Sequence, residues 1–357
     1  MLACVIEGAG QLKVAELPTP EPAPGEVAIA ISYGGVCGSD LHYYHDGAAG
    51  EFTIREPLVV GHEVVGRIAV LGEGVSGLQI GQPVAVHPAA VCGECAECTS
   101  GHPQLCPSSR YLGSAAHFPH VQGGFTERLI VSADRAVPLP EGMTLRRAAL
   151  SEPFSVAYHA VQRAGDIRGA RVLVTGAGPI GCLAVAAAKQ AGAGTVYASD
   201  LTDHALAQAG QMGADVLLRA DRPEDDSWPD QVDVAIEASG SGPGLNSCIR
   251  TVRRAGLIIQ VGILPPGMTS VLGNALVNKE LRLYGSWRFH TEFAAAIALL
   301  ADKIDPEPLI SHEFPLSQAQ QAFDTASDRT TACKVLLVID SDQQSVDGTA
   351  TPAAEGN

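Results

Sequence analysis

The stretch that most constrains the fold runs from Arg171 to Gln190. It opens with an apolar run, Arg171–Thr175, of the kind that forms a buried strand. The glycine-rich letters GAGPIG follow at once, and a helix is predicted from there to about Gln190. Glycines at this spacing allow a tight turn and let a pyrophosphate approach a helix N-terminus closely. A strand, this turn and a helix together predict a doubly wound, parallel α/β sheet that binds a dinucleotide.

The predicted contacts of this turn with the dinucleotide are Gly176, Gly178, Pro179, Ile180 and Gly181. Further strands are predicted at 195–199, 232–236 and 257–261, and a last one near 281–286. Because ligands of such sheets bind at the carboxyl ends of the strands, the residues at those ends are predicted to line the cofactor as well: Gly240, Val261, Gly262 and Ile263.

An acidic residue at the end of the second strand predicts which dinucleotide binds. Asp200 follows Gly176 by 24 residues, near the spacing of about 20 typical of an acid that accepts from the ribose hydroxyls. A carboxylate there repels a 2′-phosphate, and no Arg or Lys occurs at 201–204. The sequence therefore predicts NAD rather than NADP.

Four cysteines form a second strong pattern. Cys92, Cys95 and Cys98 are joined by two C-x-x-C steps, and Cys106 follows eight residues later. Four thiolates at this spacing predict a closed tetrahedral zinc site with a structural role. An iron–sulfur cluster is the alternative, although a dinucleotide fold and a separate set of metal ligands favour zinc. Clustered cysteines also suit a metal in a reducing, cytoplasmic setting better than disulfides.

The second set of candidate metal ligands lies in two short segments near the start of the chain. One is Cys37-Gly38-Ser39-Asp40-Leu41-His42 and the other is Gly61-His62-Glu63. A thiolate, an imidazole and a carboxylate suit a catalytic zinc ion that keeps one position open. Each residue also has a plainer explanation, since Cys37 could be a buried thiol, His62 a core histidine and Asp40 a turn residue.

Length and charge restrict the function further. A chain of 357 residues predicts two domains. Short strands cut by Gly and Pro before residue 90 predict a barrel-like β domain, and residues 341–357 are predicted to be a disordered tail.

The net charge of −16 disfavours a nucleic-acid surface. For the same reason an acidic substrate would need a local cation. The chain lacks an apolar run of about 18 residues that would span a membrane, and we expect no signal peptide before the strand at 5–7.

Taken together, these motifs resemble those of the medium-chain, zinc-dependent alcohol and polyol dehydrogenases. The resemblance extends from the first strand to about Asp340. It implies a GroES-like catalytic domain made of residues 1–151 and 290–340, with a zinc lobe, and a Rossmann cofactor domain at 152–289. It also implies a homo-oligomer, a tetramer or a dimer, that pairs its cofactor domains.

The resemblance assigns roles to the first motifs. It implies that Cys37 and His62 bind zinc, that Asp40 accepts from His62, and that Ser39 takes the substrate proton. His42 would pass that proton on. Glu152, just before Pro153, would reach the same metal, and whether Glu63 or Glu152 binds it directly is left open. The implied active-site set is Cys37, Ser39, His42, His62, Glu63 and Glu152.

The substrate pocket implied by the resemblance contains Tyr43, Phe118 and Arg288. Arg288 could hold a carboxylate in a bidentate pair, or it could form an ion pair at the domain interface. His117 and His120 could be solvated loop residues or substrate contacts. We therefore expect an NAD-dependent zinc oxidoreductase that acts on a secondary hydroxyl of a sugar acid. The alternatives are a neutral-polyol dehydrogenase for sorbitol or xylitol, and a non-catalytic dinucleotide-binding zinc protein.

Overall fold

A computed structural model describes residues 1–223, 225 and 227–340. The tail predicted at 341–357 lies outside the described residues. Of the helices within them, none is both long enough and apolar enough to cross a lipid bilayer.

The first 163 residues contain many short strands and four helices. The strands are β1 (Leu2–Gly8), β2 (Gln11–Glu16), β3 (Glu26–Gly35), β4 (Ala48–Ala49), β5 (Phe52–Thr53), β6 (Leu58–Val59), β7 (Glu63–Leu71), β8 (Pro83–Val86), β9 (Ala89–Ala90), β10 (Arg110–Tyr111), β11 (Arg128–Ser132) and β12 (Ala136–Pro138). The helices are α1 (Gly38–Asp46), α2 (Ala96–Thr99), α3 (Leu145–Ala148) and α4 (Ser151–Arg163).

These strands build the barrel-like part of the molecule. Strands β12, β8, β7 and β3 follow one another in an antiparallel sheet, and β11 pairs with the first half of β3. A smaller sheet has the order β2-β1-β6. Strand β3 is buried along almost its whole length because neighbours cover both of its faces. Apolar side chains such as Ile29, Ile68 and Phe125 fill the interior.

Residues 171–285 form the cofactor sheet. Its strands are β13 (Arg171–Thr175), β14 (Thr195–Asp200), β15 (Val216–Arg219), β16 (Val232–Glu237), β17 (Val252–Gln260) and β18 (Arg282–Gly285). Its helices are α5 (Pro179–Gln190), α6 (Asp203–Gln211), α7 (Gly242–Thr251) and α8 (Gly273–Asn278).

All six strands of this sheet are parallel, in the order β15-β14-β13-β16-β17-β18. This is the strand order of a dinucleotide-binding Rossmann sheet, which confirms the predicted fold class. Strand β13 and the end of helix α5 lie where the sequence predicts them. Strand β17 begins at Val252, five residues earlier than predicted, and it ends at Gln260, so Val261 lies in the loop just beyond it.

The chain then returns to the first sheet. The last elements are α9 (Phe293–Asp302), β19 (Ile310–Pro315), α10 (Ala319–Ser327) and β20 (Lys334–Val338). Strand β20 pairs antiparallel with the second half of β3, and β19 pairs parallel with β20. Residues from the two ends of the sequence therefore complete one sheet.

Helix α4 packs between the two parts of the molecule, against α5 on one side and α9 on the other. Phe154 of α4 is fully buried, and Phe289 and Phe293 stack on each other nearby. These rings belong to one apolar core that continues into the cofactor sheet. Burying each such side chain contributes about 1.5–3 kcal/mol, so this core fixes the two sheets relative to each other.

Candidate active site

Asp40 connects the two loops that carry the predicted zinc ligands. Cys37 precedes α1 as its N-cap residue, and Asp40 lies in the first turn of that helix with 0% of its surface exposed. One carboxylate oxygen accepts from the Cys37 backbone N–H at 3.0 Å, and the other accepts from the Gly61 N–H at 3.2 Å. Asp40 Oδ1 is also 3.7 Å from His62 Nδ1. A single buried carboxylate therefore holds the thiol loop against the imidazole loop.

Cys37, His62 and Glu63 come together as one candidate metal centre. Their ligand atoms, a sulfur, a ring nitrogen and a carboxylate oxygen, all lie within 4.8 Å of one another. His62 and Glu63 are buried and Cys37 is half-buried. Zinc binds such atoms at about 2.0–2.3 Å and takes this mixture of donors in catalytic sites. The donor set and its spacing therefore fit a zinc ion.

The electrostatics of this centre also favour a cation. Burial is the largest influence on His62 and on its own would lower the pKa of the imidazole. The negative groups of Asp40 and Cys37 outweigh it and raise the pKa of His62 to about 10. Positive charge is thus strongly stabilised at the point where the three candidate ligands meet.

Glu63 has a buried lysine partner that sequence reasoning missed. The ammonium nitrogen of Lys334, the first residue of β20, lies 2.8 and 2.6 Å from the two carboxylate oxygens of Glu63. The same nitrogen donates to the carbonyl of Val36 at 3.2 Å. Both side chains are buried. Glu63 therefore has two competing positive partners, Lys334 and any metal that the cluster holds.

Glu152 is held beside the same centre by a tyrosine. It lies in the first turn of α4 and is buried, and burial is the main cause that raises the pKa of its carboxyl group. The hydroxyl of Tyr111 donates to Glu152 Oε1 at 2.6 Å, and the Tyr111 and His62 ring centroids are 5.6 Å apart. Sequence reasoning did not select Tyr111, because nothing near it in sequence indicates its contact with α4. Which of Glu63 and Glu152 binds a metal stays open.

Arg288 reaches this site from the end of the cofactor sheet. Its guanidinium carbon lies 3.9 Å from the centre of the Tyr111 ring and 4.8 Å from that of Trp287. Among the residues that the structure describes, no carboxylate lies within 4.0 Å of its guanidinium nitrogens, so the interface ion pair is not formed. The backbone of Arg288 has a φ of 52°, in the left-handed region that non-glycine residues rarely adopt. Such strain is concentrated at functional sites.

The other predicted active-site residues lie along α1. Ser39 is half-buried in its first turn, and His42 is exposed, with Nδ1 at 3.2 Å from Asp46 Oδ2. Tyr43 is buried, and its hydroxyl accepts from the Ala115 N–H at 2.9 Å. Helix α1 thus leads from the candidate metal centre to solvent.

The loop at 110–125 differs from what the sequence suggests. His120 is buried rather than solvated: Nε2 accepts from the Arg55 N–H at 2.9 Å, so Nδ1 must donate to the His117 carbonyl at 2.7 Å. His117 Nε2 in turn contacts the Ser109 carbonyl at 2.8 Å. With both nitrogens of His120 engaged, this residue has a structural role in the loop. Phe118 is 61% exposed and packs on the Arg55 guanidinium, so the structure does not place it beside the candidate metal centre.

The four cysteines of the zinc lobe meet around α2. Their sulfur atoms all lie within 4.8 Å of one another. The Cys92 sulfur is 4.0 Å from that of Cys98 and 3.6 Å from that of Cys106. Four sulfurs at about 2.3 Å from one zinc ion lie about 3.8 Å apart, so the cage has the right size. Hydrogen bonds from the Glu94 and Cys95 backbone lower the pKa of Cys92 to about 7, which favours a thiolate.

The glycine-rich turn forms a phosphate cradle between β13 and α5. Gly176 has a φ of 84°, and a Cβ at Gly181 would lie 1.7 Å from the Gly176 carbonyl oxygen, so neither position accepts a side chain. Pro179 is the first residue of α5, where its missing N–H costs nothing. Asp200 Oδ2 accepts from the Ala177 N–H at 2.8 Å, which draws the turn towards the predicted ribose site. This cradle fits a dinucleotide.

The loops at the ends of β16 and β17 complete this cleft. Gly240 has a φ of 62°, and a Cβ there would lie 2.6 Å from the Ile263 carbonyl oxygen. Val261 and Gly262 follow β17 directly. The structure thus brings the four residues predicted at these strand ends to one edge of the sheet.

Arg219 is a third residue that sequence reasoning missed. It ends β15 beside Asp200, its partner in register, and its guanidinium binds Asp203 at 2.8 Å and both oxygens of Asp221 at 3.0 Å. The prediction of NAD considered only residues 201–204. The pairing of β14 with β15 brings this more distant cation next to Asp200, where two aspartates already neutralise it.

Comparison with known proteins identifies the class. The profile of the alcohol dehydrogenase GroES-like domain matches residues 23–141, and that of the zinc-binding dehydrogenase matches residues 179–302. The chain belongs to the medium-chain, zinc-dependent alcohol dehydrogenases, and it is an NAD-dependent oxidoreductase of that family. The family, the enzyme class, and zinc and NAD as cofactors are therefore confirmed.

Within this family, the chain is similar to dehydrogenases of sugar acids and polyols. The chain is 39% identical over 340 residues to L-idonate 5-dehydrogenase (NAD(P)(+)) of Escherichia coli K12, covering 94% of this chain and 98% of the relative. The crystal structure of that enzyme superposes with a TM-score of 0.90 at 38% identity, covering 95% of this chain and 98% of the other. A sorbitol dehydrogenase of Bacillus subtilis is 34% identical over 349 residues, covering 95% of this chain and 97% of the relative.

A further structure contains a cofactor. It is described as a short chain alcohol dehydrogenase from Escherichia coli CFT073 complexed with NADH. It superposes with a TM-score of 0.86 at 30% identity, covering 95% of this chain and 99% of the other. The substrate of this chain, its oligomeric state and the roles of its individual residues stay predictions.

Proposed function

We propose that this enzyme oxidises the secondary hydroxyl at carbon 5 of L-idonate to give 5-keto-D-gluconate, reversibly, with NAD. The observation that carries the proposal is the environment of Arg288. Its guanidinium is partly buried, lies on the Tyr111 ring and has no carboxylate within 4.0 Å in the described part of the chain, so the charge of Glu152 acts on it only from beyond ion-pair distance. Since the chain carries a net charge of −16, an acidic substrate needs such a local cation.

The proposed roles follow from the geometry of the site. Cys37 and His62 hold the catalytic zinc with Glu63 or Glu152, and the four lobe cysteines hold a second, structural zinc. When bound, the catalytic zinc polarises the substrate hydroxyl and NAD accepts the hydride. Ser39 accepts the hydroxyl proton, and the exposed His42 passes it towards solvent. Arg288 and Tyr43 orient the substrate chain, whereas Phe118, which the structure places on Arg55, takes no part.

The proposed position of NAD follows the glycine turn. The pyrophosphate lies on Gly176, Gly178, Pro179, Ile180 and Gly181 at the start of α5. The adenosine ribose donates to Asp200. The rest of the dinucleotide runs along Gly240, Val261, Gly262 and Ile263. This arrangement supports the division into a catalytic domain, 1–151 and 290–340, and a cofactor domain, 152–289, with the substrate between them.

The first test compares substrates. We expect NADH formation to be fastest with L-idonate when L-idonate, gluconate, sorbitol and xylitol are assayed side by side, with NADP replacing NAD as a control. Replacing Arg288 by alanine is expected to lower kcat/KM for L-idonate by about 10–100-fold, because a charge-assisted pair with the substrate carboxylate is lost. The same change should alter kcat/KM for sorbitol by less than about threefold.

Arg329→Ala is the matched control, because Arg329 is an exposed arginine in the turn between α10 and β20. It should leave both substrates unaffected. If Arg288→Ala reduces the rates with L-idonate and sorbitol equally, Arg288 does not select a carboxylate.

A neutral-polyol dehydrogenase is the second candidate function. It is favoured by the similarity to sorbitol dehydrogenase, and it would use the same zinc and cofactor residues. The highest rates with sorbitol or xylitol would establish it and overturn the proposed sugar-acid substrate. A non-catalytic zinc protein is not proposed further, because the family matches are dehydrogenases.

We also propose that the chain forms a homo-oligomer, a dimer or a tetramer, in the cytoplasm. Strand β18 is an edge of the cofactor sheet, and Leu283, Tyr284 and Trp287 expose apolar surface on or next to it. An open sheet edge with apolar side chains favours pairing with another chain. Sedimentation velocity at micromolar concentration should show a species of at least twice the chain mass of 36.9 kDa. A monomer under those conditions would contradict the proposal.

A further inference from the structure

Glu237 is a buried carboxylate at the centre of the cofactor sheet to which neither the family profiles nor the sequence motifs assign a role. It is the last residue of β16, and 0% of its surface is exposed. In the described part of the chain, no lysine, arginine or histidine nitrogen lies within 4.0 Å of its carboxylate. Burying a carboxylate without a cationic partner costs free energy unless hydrogen bonds offset it.

Both carboxylate oxygens of Glu237 accept hydrogen bonds from neighbouring groups. Oε1 accepts from the Ser239 N–H at 2.9 Å, from the Ser239 hydroxyl, and from the Thr175 hydroxyl at 3.4 Å. Oε2 accepts from the Gly240 N–H at 3.2 Å and from the Gln260 amide at 2.5 Å. The Ser239 N–H, the Gly240 N–H and the Gln260 amide nitrogen can only donate, and between them they reach both oxygens, so this pocket suits a carboxylate.

These bonds join the ends of three neighbouring strands. Thr175 ends β13, immediately before the glycine turn, and Gln260 ends β17. The backbone carbonyl of Glu237 also accepts from the N–H groups of Val261 and Gly262, at 2.9 and 2.8 Å. One residue therefore holds the loops after β16 and β17, which contain the proposed cofactor contacts Gly240, Val261, Gly262 and Ile263.

The loops are packed tightly on this carboxylate. A Cβ at Gly262 would lie 2.8 Å from Glu237 Oε2, and a Cβ at Gly244, in α7, would lie 2.8 Å from Oε1. The glycines let the backbone approach the charge closely. Consequently a change at Glu237 is transmitted directly to the wall of the cleft.

A negative charge on Glu237 would act differently on the oxidised and the reduced dinucleotide. The nicotinamide ring of NAD⁺ carries a positive charge and that of NADH carries none. A carboxylate fixed at the carboxyl ends of the central strands, where a dinucleotide binds, attracts the oxidised ring and has no such effect on the reduced one. Because no lysine, arginine or histidine nitrogen of the described residues lies within 4.0 Å of the carboxylate, its charge is free to act on the cofactor.

We propose that Glu237 is a positioning residue that holds both loops of the cofactor cleft and biases the cleft towards the oxidised dinucleotide. This inference rests on the cofactor position proposed above. It does not depend on which substrate the enzyme oxidises.

The test measures the dissociation constants of NAD⁺ and NADH by calorimetry, without substrate. In Glu237→Gln, the binding of NAD⁺ should weaken relative to that of NADH by on the order of tenfold, the size expected for one charge acting across a partly buried gap. Glu237→Asp keeps the charge but shortens the side chain. It should weaken both forms and leave their ratio within about threefold of the wild-type value. Ser239→Ala is the neutral control, which removes one hydrogen bond and should also keep the ratio.

The outcomes separate this inference from the cofactor position on which it rests. If the wild-type protein binds neither dinucleotide, the cofactor position fails and the inference fails with it. If the wild type binds both and Glu237→Gln keeps the wild-type ratio, only the role of Glu237 is overturned. An equal shift of the ratio in Glu237→Gln and Glu237→Asp would also overturn it, because the effect would then not follow the charge. If the glutamine variant does not fold, a ratio that changes by more than about threefold in Glu237→Asp, which keeps the charge, overturns the inference.

Discussion

Replacing Cys37 by serine is expected to remove one zinc ion per chain and to lower kcat/KM by about a thousandfold or more. A bound metal stabilises developing charge in the transition state by several kcal/mol, and each 1.36 kcal/mol is about tenfold in rate. Serine keeps the size of the side chain but not the thiolate that zinc prefers. Elemental analysis of the purified protein and the initial rate of NADH formation would be measured together.

Two further cysteine variants show whether this loss is specific. Cys333→Ser changes a half-buried thiol that belongs to neither metal cluster. It should keep two zinc ions per chain and nearly the wild-type rate. Cys98→Ser should lose the other zinc, in the lobe, and retain a metal at Cys37 and His62. A Cys37→Ser protein with two zinc ions and normal activity would show that the metal centre is misplaced.

Replacing Lys334 by methionine is expected to lower the free energy of unfolding by about 3–5 kcal/mol. The change removes one partner of a fully buried ion pair and leaves the Glu63 carboxylate without its closest positive charge. Methionine has a similar length and fills much of the same volume, so loss of packing contributes little. Denaturant unfolding followed by fluorescence measures the effect, with the metal content of each sample determined.

Lys303→Met is the control for this prediction. Lys303 pairs with Asp302 at 2.7 Å on the surface, where such pairs contribute about 0–1 kcal/mol. In addition, the double variant Glu63→Gln/Lys334→Met removes the pair as a unit and should regain much of the lost stability, because replacing both partners leaves no isolated charge. Equal stability losses in Lys334→Met and Lys303→Met would contradict the importance of the buried pair.

The stability that the Glu63–Lys334 pair contributes is expected to fall at high pH. Burial, the largest single influence, would lower the pKa of Lys334, but Glu63, Cys37 and Glu152 together raise it by more, so the net shift is upward. A raised lysine pKa stabilises the folded state fully below the ordinary lysine value of about 10.4 and loses that contribution as the pH rises through the folded pKa. The stability difference between wild type and Lys334→Met should therefore be constant from pH 6 to pH 9 and shrink only in more alkaline solution.

Much of the fold could be predicted because its signals are local. The strand and helix around the glycine turn follow from neighbouring residues, and so does the cysteine spacing of the zinc lobe. The ends of β17 were less predictable. Val252 continues directly from α7 into the strand, and the residues that follow it, including Arg253 and Arg254, are exposed and polar. A search for apolar runs therefore finds only the buried second half of β17.

The parts of the site that could not be predicted depend on distant contacts. Lys334 and Glu63 are separated by 271 positions, and Tyr111 and Glu152 by 41. Neither pair has a spacing that marks a helix face or a turn. The surroundings of Glu237 could not be predicted either, since its donors come from the ends of β13 and β17 and from the loop after β16. Arg219 became relevant only through the register between β14 and β15.

The pairing of β20 with β3 has a consequence for the order in which the protein is made. Residues 171–285 contain all six strands of the cofactor sheet, so the pairing of these strands needs no later part of the chain. By contrast, the second half of β3 lacks its β20 partner, and Glu63 lacks its lysine, until residue 338 has been synthesised. The newly made chain must therefore carry an incomplete catalytic half while the cofactor half folds. A truncation that removes β20 would leave the cofactor sheet intact and the catalytic centre unable to mature.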